Sequence, residues 1–596
     1  MDDYLFYDVE VFQYDALIVF KDIDNNEVAH YWNNRDRLGA EHPTDCPSGF
    51  EEIPELIRGK TLVGYNNYHY DDYILTAMMN PVMSTVDVLK MINDSIIKGG
   101  EAGISIDKNI QSLDTMQQLL MRPSLKQIEG NMGRSIIESS VPFDIDRPLT
   151  DEEREETLHY CRYDVESTIQ VFKLRDKEYF QTKSALADMI DPEMNGLCRW
   201  NTTTMSARIL LGRSKMHLEP SHRVPKEWWR NPESAIPEEV WQMWEKMVED
   251  EDPLAKGVST TIKAFGCDVV FGMGGLHGAP TEPGYYRNVK LADVGSMYPS
   301  IIVKLNILGN ATETYDGLRQ ERLKIKHVDK VRADALKLVL NSVYGNLKNQ
   351  YSALYNPWLS ATVCIFGQIA LYTLCHRLDG AGYRVININT DGVAFEDNKA
   401  LDGRYEQICR EWEQDFSGLL LEVDEFEHWI QKDVNNYIAV HDGKIKTKGG
   451  EVNKAFSDKY FANNDCRIAQ LAMVEYLVYG TPIYDTLIDY VDYPRLWQYI
   501  LKAGHTYKGV VDGQGNIQNK VNRVFAVRKN TPGITKLYKL REDDGLVNFP
   551  DVPDNMLICN GETEDIPDFA DIIDMSFYKK LVDKKLKGWP KIHGIC

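Results

Sequence analysis

The chain has 596 residues, of which 43% are hydrophobic and 26% are charged, the ordinary composition of a folded soluble protein. This composition excludes a collagen-like chain, a disordered tail protein and a small disulfide scaffold, and the length predicts about three to five domains. Acidic residues outnumber Lys and Arg by 90 to 67 and give a net charge of -23, so a nucleic-acid partner requires locally concentrated positive charge.

Cysteine spacing and hydropathy predict a soluble cytoplasmic protein without membrane contact. The ten cysteines include no Cys-x-x-Cys pair, which disfavours a zinc or iron–sulfur site and indicates reduced thiols. The N-terminus lacks the basic and apolar segments of a signal peptide. The most apolar stretch, 361–378, contains Gln368, His376 and Arg377, so it predicts a buried core helix.

The first half of the chain predicts an α/β domain. Alternating β-branched and aromatic residues over 4–20 predict a pair of strands. Thr150 is a candidate N-cap for a helix over 151–178 that would close this domain. The proline-rich stretch 219–239 predicts a linker.

The second half mixes strands with long helices. A strand is predicted over 285–295 and a hairpin over 384–396, and the helices are predicted at 313–327, 329–347 and 361–378. Beyond about residue 456 the pattern is mostly helical, with a mixed strand and loop section over 505–560. The last thirty residues are rich in lysine.

Acidic residues in the first half form a candidate metal site. Asp8 and Glu10 fall on one face of a predicted strand, although Asp-x-Glu is a common pattern that recurs at Asp164-Val165-Glu166. Asp71 follows Tyr70; the adjacent Asp72 could in principle replace it, but the spacing to Tyr70 favours Asp71. Tyr160 and Asp164 are four residues apart and share one helix face.

Two aspartates in the second half offer a second candidate metal site. Asp293 ends the predicted strand 285–295, and Asp391 lies at the tip of the predicted hairpin. Either one alone could be an ordinary cap or turn residue. Together they could hold two magnesium ions about 3.5–4 Å apart, the arrangement that catalyses in-line displacement at phosphate.

A basic helical segment lies between these aspartates in sequence. Lys337, Asn341 and Tyr344 share one helix face at i, i+4 and i+7, and Arg322 and Lys326 are also four residues apart. Positions 315–348 contain eight Lys and Arg residues and four acids. This segment could be a solvated basic hairpin, but a triphosphate facing it would relieve the repulsion between its cations.

Three motifs in this order resemble the A, B and C motifs of family B DNA polymerases, most closely those of the compact phage-type members. They are Asp293-Val294-Gly295-Ser296-Met297-Tyr298-Pro299-Ser300, Lys337-Leu338-Val339-Leu340-Asn341-Ser342-Val343-Tyr344-Gly345 and Asn389-Thr390-Asp391-Gly392. The segment 272–275 resembles the Gly-Gly element that joins the exonuclease and polymerase parts. The segment 446–450 resembles the basic-Gly element near the primer terminus.

The polymerase resemblance implies a role for each matching residue. Asp293, Asp391 and the Val294 carbonyl would bind two Mg²⁺ ions, with Mn²⁺ as a substitute. Tyr298 would stack beneath the incoming sugar and exclude a 2′-hydroxyl. The further residues that would hold the triphosphate and line the base-pair pocket are Arg322, Lys326, Lys337, Asn341 and Tyr344. Those that would contact DNA are Tyr437, Lys446 and Lys448.

The first-half acids resemble, in order, the three motifs of DEDD-type 3′–5′ proofreading exonucleases in their tyrosine variant. The resemblance implies that four carboxylates would hold two further metal ions and that Tyr160 would orient the attacking water. The four are Asp8, Glu10, Asp71 and Asp164.

The chain departs from the polymerase family pattern in two places. Motif C usually reads Asp-Thr-Asp-Ser, but here Asn389 replaces the first Asp and Gly392 replaces the Ser. The family's Lys-x-Tyr element is present only as Asn435-Asn436-Tyr437, which shifts the expected primer contacts towards Lys446 and Lys448. Motifs A and B are close together in sequence, without the long insertion of protein-primed members, which favours a nucleic-acid primer.

The two resemblances imply an α+β multi-domain protein with an RNase H-like exonuclease domain and a right-hand polymerase. The expected domains are an exonuclease at 1–180, a linking segment at 181–270, palm at 271–312 and 349–455, fingers at 313–348 and thumb with C-terminal region at 456–596. The expected partners are primer–template DNA, deoxynucleoside triphosphates and replication accessory proteins. The alternatives are an exonuclease with a DNA-gripping polymerase-like scaffold and a non-catalytic replication scaffold.

Overall fold

The computed structural model describes residues 4–34, 49–192, 194, 196–212, 235–249, 258–463 and 465–596. It is a mixed α+β protein with several sheets and two compact units, which confirms the predicted fold class. Unit 1 comprises Met1–Asn201, Lys459–Cys466 and Asp492–Asp574, and unit 2 comprises Thr202–Asp458, Arg467–Val491 and Met575–Cys596.

Unit 1 begins with a five-stranded sheet and its covering helices. The strands are β1 (Tyr4–Val11), β2 (Asp15–Lys21), β3 (Glu27–Asn34), β4 (Thr61–Gly64) and β5 (Ser112–Asp114). The helices are α1 (Ile53–Leu56), α2 (Asp71–Met78), α3 (Val86–Ile97), α4 (Leu125–Met132), α5 (Asp151–Arg175) and α6 (Gln181–Ile190). The strand order is β3-β2-β1-β4-β5, in which β1, β4 and β5 run parallel. The strand pair over 4–20 is confirmed.

The predicted helix over 151–178 is confirmed as α5, and its residues explain its position. Thr150 Oγ1 accepts a hydrogen bond from the Glu153 backbone, and the Glu153 carboxylate accepts one from the Thr150 backbone. Such a capping box satisfies two backbone donors that a helix start leaves free. Buried residues at helical spacing then pack α5 on the sheet: Leu158, Cys161, Val165, Ile169 and Phe172.

Unit 2 is built around a nine-stranded antiparallel sheet of order β14-β13-β12-β9-β11-β10-β8-β7-β6. Its strands are β6 (Ser259–Ala264), β7 (Cys267–Gly272), β8 (Gly275–Ala279), β9 (Gly284–Val294), β10 (Arg384–Asn389), β11 (Gly392–Glu396), β12 (Leu421–Gln431), β13 (Tyr437–His441) and β14 (Lys444–Lys448). Its helices include α7 (Thr202–Leu211), α8 (Glu238–Glu249), α9 (Met297–Lys304), α10 (Thr312–Ile325), α11 (Lys330–Lys348), α12 (Pro357–Gly380), α13 (Arg404–Asp415), α14 (Arg467–Tyr479) and α15 (Ile483–Asp489).

Helix α12 contains the most apolar stretch of the chain. Its length and composition would allow it to cross a bilayer, but 83% of its most apolar window is buried within the protein. The Gln368 side chain is buried and donates to the Gly272 carbonyl at 2.6 Å. The burial confirms the prediction of a core helix over 361–378.

The C-terminal part of the chain is divided between the two units. Within Asp492–Asp574, unit 1 contains a three-stranded sheet, a four-stranded sheet and a short helix. These elements are β15 (Tyr499–Lys502), β16 (Gly509–Val511), β17 (Ile517–Gln518), β18 (Val521–Ala526), β19 (Tyr538–Leu540), β20 (Leu546–Asn548), β21 (Met556–Ile558) and α16 (Phe569–Ile572); α17 (Met575–Leu586) belongs to unit 2. The residues predicted as one thumb region, 456–596, therefore contribute to both units. Positions 219–234 of the predicted linker lie outside the described residues.

Candidate active sites

The first-half acids converge in unit 1. Asp8 and Glu10 lie on β1, and the Cys161 thiol of α5 lies 3.6 Å from Asp8 Oδ2. The possible ligand atoms of these three residues are all within 4.8 Å of one another. On the same helix, the Tyr160 hydroxyl donates a hydrogen bond to Asp164, which lies one turn further along α5.

The neighbours Asp71 and Asp72, which begin α2, have different surroundings. The fully buried Asp72 carboxylate contacts four side chains: Tyr7, Asn67, Ser112 and Arg199. These contacts use its hydrogen-bonding capacity. By contrast, burial and then the Asp8 carboxylate raise the pKa of Asp71 well above its usual range. Asp71 therefore faces the other acids, and we call Asp8, Glu10, Asp71 and Asp164 the unit 1 carboxylate cluster.

Burial and mutual repulsion make the unit 1 carboxylate cluster costly to ionise. Burial, followed by the Asp164 charge, raises the pKa of Asp8 to about 8. Burial and the Asp8 charge likewise raise the pKa of Glu10 well above its usual range. Gathered like charges of this kind are stabilised by a cation, and carboxylate oxygens are the ligands that magnesium prefers. The donor set therefore fits divalent metal ions.

Lys126 on α4 also reaches the unit 1 carboxylate cluster, and sequence reasoning missed it. Its ammonium pairs with Asp164 and lies 3.4 Å from Glu129 Oε1 and 4.6 Å from the centre of the Tyr160 ring. Burial opposes the charge, but Asp164 and Glu129 together raise the pKa of Lys126. The Ser124 and Gln127 capping box could have predicted α4. No local signal indicates that Lys126 points at Asp164.

Helix α4 is held within unit 1 by the Asp492–Asp574 segment. The fully buried Arg523 of β18 donates to the carbonyls of Gly130 at 3.2 Å and Arg134 at 2.5 Å. A guanidinium with several fixed donors holds backbone in one orientation better than a single bond does. The segment that the sequence assigned to the thumb thus helps to position Lys126.

In unit 2, Asp293 and Asp391 lie on neighbouring strands. Gly392 of β11 is paired with Asp293 of β9, and the Val294 backbone donates to the Asp391 carbonyl at 2.8 Å. Thr390 has φ 59°, the left-handed conformation that a two-residue hairpin turn requires. The turn thus holds Asp391 beside the end of β9, where two carboxylates and the Val294 carbonyl offer oxygen ligands for metal ions.

The β13–β14 hairpin supplies positive charge to this pair. Partial burial and the Asp391 carboxylate raise the pKa of Asp293 to about 6, whereas Lys446 and Lys448 act to lower it. Burial, Asp293 and Asp391 raise the pKa of Tyr437 to about 12. Tyr437, Lys446 and Lys448 are therefore within electrostatic reach of the two aspartates. Asp424 of β12, which was not predicted, also raises the pKa of Asp293.

Two predicted tyrosines pack together beside the Gly-Gly segment. The rings of Tyr298 and Tyr344 have centroids 4.4 Å apart. The Tyr344 hydroxyl donates to the Met273 carbonyl at 3.1 Å, and the Tyr298 hydroxyl lies 3.4 Å from the Gly274 carbonyl. The Thr390 backbone in turn donates to the Leu276 carbonyl at 2.9 Å. The segment 272–276 therefore joins the two tyrosines to the hairpin that carries Asp391.

The predicted polar face of α11 is formed, and the helix buries its opposite side. Lys337 and Asn341 are exposed and Tyr344 is half-buried. The residues beneath them are buried: Leu336, Val339, Leu340 and Val343. On α10 the buried Nε of Arg322 has no hydrogen-bond partner among the described residues, and Lys326, just after this helix, is exposed. The structure shows no contact of these cations with Asp293 or Asp391 within its described part.

Gly392 provides a direct test of the unit 2 geometry. A Cβ at this position would lie 2.7 Å from Asp293 Oδ1, so Gly392→Ala should displace that carboxylate by a few tenths of an ångström. We expect kcat for primer extension to fall by about tenfold with an unchanged melting temperature. Gly380→Ala, where a Cβ has open space, is the matched control. Equal rates for both variants would contradict this geometry.

No family model matches the sequence. Over 198 residues the chain is 27% identical to DNA polymerase 2 of Saccharolobus solfataricus, a match that spans 28% of this chain and 30% of that relative. The family B DNA polymerase of the hyperthermophilic archaeon Pyrobaculum calidifontis aligns with a TM-score of 0.44 and 14% identity, over 100% of this chain and 78% of that one.

The chain is thus similar to a DNA polymerase over 198 residues. Of the residues that the family B pattern indicated, the structure brings together those of motifs A and C, the two tyrosines and the β13–β14 hairpin. Arg322, Lys326 and Lys337 make no contact with Asp293 or Asp391 in the described part of the structure. Asp424 and Lys126 lie outside every family B motif quoted above, and only their contacts in space revealed them.

Proposed function

We propose that this protein is a template-directed DNA polymerase that adds deoxynucleotides to a primer 3′-hydroxyl by two-metal phosphoryl transfer. One observation carries the proposal. The segments that resemble motifs A and C and the Gly-Gly element meet around Asp293 and Asp391 in unit 2. This convergence is what a shared nucleotide site requires, and sequence order alone does not produce it.

In this proposal, Asp293, Asp391 and the Val294 carbonyl hold two Mg²⁺ ions, with Mn²⁺ as a substitute. Such ions would activate the primer hydroxyl and neutralise charge on the triphosphate. Arg322, Lys326 and Lys337 bind the triphosphate as it approaches the helix face. Tyr298 and Tyr344, whose rings are in contact, form the wall of the pocket for the sugar and the base, which Asn341 also lines.

We also propose a 3′–5′ proofreading exonuclease in unit 1. Four clustered carboxylates with raised pKa values support this proposal, because a group of like charges of this kind is stabilised by bound cations. Lys126 supplies one positive charge to the cluster through its pair with Asp164. In this proposal Tyr160, which is hydrogen-bonded to Asp164, orients the attacking water.

The proposed partners are primer–template DNA and deoxynucleoside triphosphates, with replication accessory proteins. Tyr437, Lys446 and Lys448 would contact the primer strand near its terminus. The domain boundaries predicted from the sequence belong to this proposal, as does a role in phage or mobile-element replication in the cytoplasm of the host.

Primer extension by the purified protein tests the proposal. A labelled primer–template with four deoxynucleotides and Mg²⁺ should be extended, and chelation of the metal should stop the reaction. A mismatched primer terminus should be removed before extension. Degradation without any extension would instead support an exonuclease with a DNA-gripping scaffold, and the absence of both activities would support a non-catalytic scaffold.

Tyr298→Ala should let the polymerase accept ribonucleotides. Loss of the ring that packs against Tyr344 removes the wall against which a 2′-hydroxyl would collide. We expect the preference for deoxyribonucleotides over ribonucleotides, measured as a ratio of kcat/KM values, to fall by about 10²-fold. Tyr344→Phe keeps its ring and should leave this ratio unchanged. An unchanged ratio in Tyr298→Ala would show that this residue does not exclude the 2′-hydroxyl.

A further inference from the structure

The chain between β12 and β13 forms a compact turn, residues 432–436, which we call the 432–436 turn. The Asp433 carboxylate accepts from the backbones of Asn435 at 2.8 Å and Asn436 at 2.9 Å. The Lys432 backbone donates to the Asn436 carbonyl at 2.9 Å. The turn leads directly into Tyr437, the first residue of β13.

Two asparagines of β10 bind the outer side of this turn. Asn389 Nδ2 donates to the Val434 carbonyl at 3.2 Å, and Asn387 Nδ2 donates to the same carbonyl at 3.1 Å. Asn387 Nδ2 also lies 2.8 Å from Gln431 Oε1. Both lone pairs of one carbonyl are thus used. An ionised aspartate at position 389 would have no hydrogen to donate and would place a negative charge against the carbonyl oxygen.

The inner side of the turn is in contact with the end of the β13–β14 hairpin. Asn436 Oδ1 accepts from the Glu451 backbone at 3.3 Å. Gly449 has φ 97°, and a Cβ there would collide with the Asn435 carbonyl and the Asn436 side chain. Tyr437 is paired with Lys448 across the hairpin. A movement of the turn would therefore move Tyr437 and the lysines of β14.

Asn389 connects this assembly to the catalytic hairpin. Its Oδ1 accepts from Thr390 Oγ1 at 3.3 Å, and Thr390 precedes Asp391. Its Nδ2 binds the 432–436 turn. The Asn389 side chain therefore links the residue beside the proposed metal ligand to the turn that leads into the proposed primer-binding hairpin.

We propose that Asn389 is a positioning residue that holds the 432–436 turn, and with it Tyr437, Lys446 and Lys448, against the Asp391 hairpin. The proposal rests on the proposed polymerase function. It also explains the departure from the family pattern at Asn389. The residue that replaces the acid of motif C supplies a hydrogen-bond donor that the 432–436 turn uses.

The test compares Asn389→Asp, which keeps the shape but loses the donor, with Asn389→Ala, which loses the donor without adding charge. We expect Asn389→Asp to raise the KM for primer–template by about tenfold, with a smaller rise for Asn389→Ala. The KM for deoxynucleotides and the degradation of single-stranded DNA should stay within about twofold of wild type. Asn288→Asp, an exposed position on β9 of the same sheet, is the matched control.

Amide hydrogen exchange gives a second measurement that needs no activity. The amides of 437–448 should exchange faster in both Asn389 variants than in Asn288→Asp. Wild-type extension with an unchanged primer–template KM and unchanged exchange in Asn389→Asp would overturn the positioning role. A shift confined to the Mg²⁺ requirement would also overturn it. If the wild-type protein does not extend primers, the proposed function fails. The exchange result alone then shows whether Asn389 holds the 432–436 turn.

Discussion

Asp293→Ala should extend a primer at least about a thousandfold more slowly than wild type, a loss of about 4 kcal/mol of transition-state stabilisation. Asp293 supplies one of the two carboxylates that face each other at the end of β9 and the tip of the β10–β11 hairpin. Its raised pKa reflects partial burial and the Asp391 charge, which is the environment a metal ligand needs. Single-turnover extension of a matched primer–template measures the loss.

Degradation of single-stranded DNA by Asp293→Ala should remain within about twofold of wild type, because the unit 1 carboxylate cluster uses none of the same residues. Asp424→Asn is the matched control, since it removes a charge that acts on Asp293 from the next strand. It should retain extension to within about threefold. Loss of both activities in a folded Asp293→Ala protein would show that the two-site assignment is wrong.

The sequence predicted the elements that carry the unit 2 aspartates because their signals are local. The strand that ends at Asp293 and the hairpin with Asp391 at its tip follow from period-two alternation and a turn composition. The pairing of Gly392 with Asp293 then places the two acids on adjacent strands. Asp71 was likewise preferred over Asp72 from its spacing to Tyr70, and the contacts of Asp72 account for that choice.

Residues whose position depends on distant parts of the chain could not be predicted in this way. Lys126 reaches Asp164 across 38 residues, and Arg523 binds the Arg134 carbonyl across 389. Neither contact leaves a periodic or spacing signal in either segment. The same limit applies to the C-terminal region, since a helical or strand pattern after residue 456 does not indicate which unit its residues join.

Asn389 shows that a departure from a family motif can be misinterpreted when only the sequence is considered. Because it replaces the first acid of motif C, it favours the alternative of a non-catalytic replication scaffold. The hydrogen bond that it donates to the Val434 carbonyl gives the amide a use that an ionised carboxylate could not serve. A substitution within a motif therefore argues for lost function only when the new side chain has no partners of its own.

Asp8→Ala should have the reverse effect of Asp293→Ala. Removal of this carboxylate takes one ligand from the proposed metal site of unit 1, so degradation of single-stranded DNA should fall by at least about a thousandfold. Extension of a matched primer should stay within about twofold of wild type. Errors in a copied template should rise, because a mismatched terminus would be extended without removal.

The neighbours Asp71 and Asp72 provide an internal control for this second prediction. Asp71→Asn should abolish degradation without lowering the melting temperature in the presence of a chelator, because it relieves repulsion from Asp8. Asp72→Asn should instead lower the free energy of unfolding by about 2–3 kcal/mol, since it leaves the Arg199 guanidinium without its buried partner. The opposite pattern, with Asp72→Asn inactive but stable, would exchange the roles of the two residues and contradict the proposed cluster.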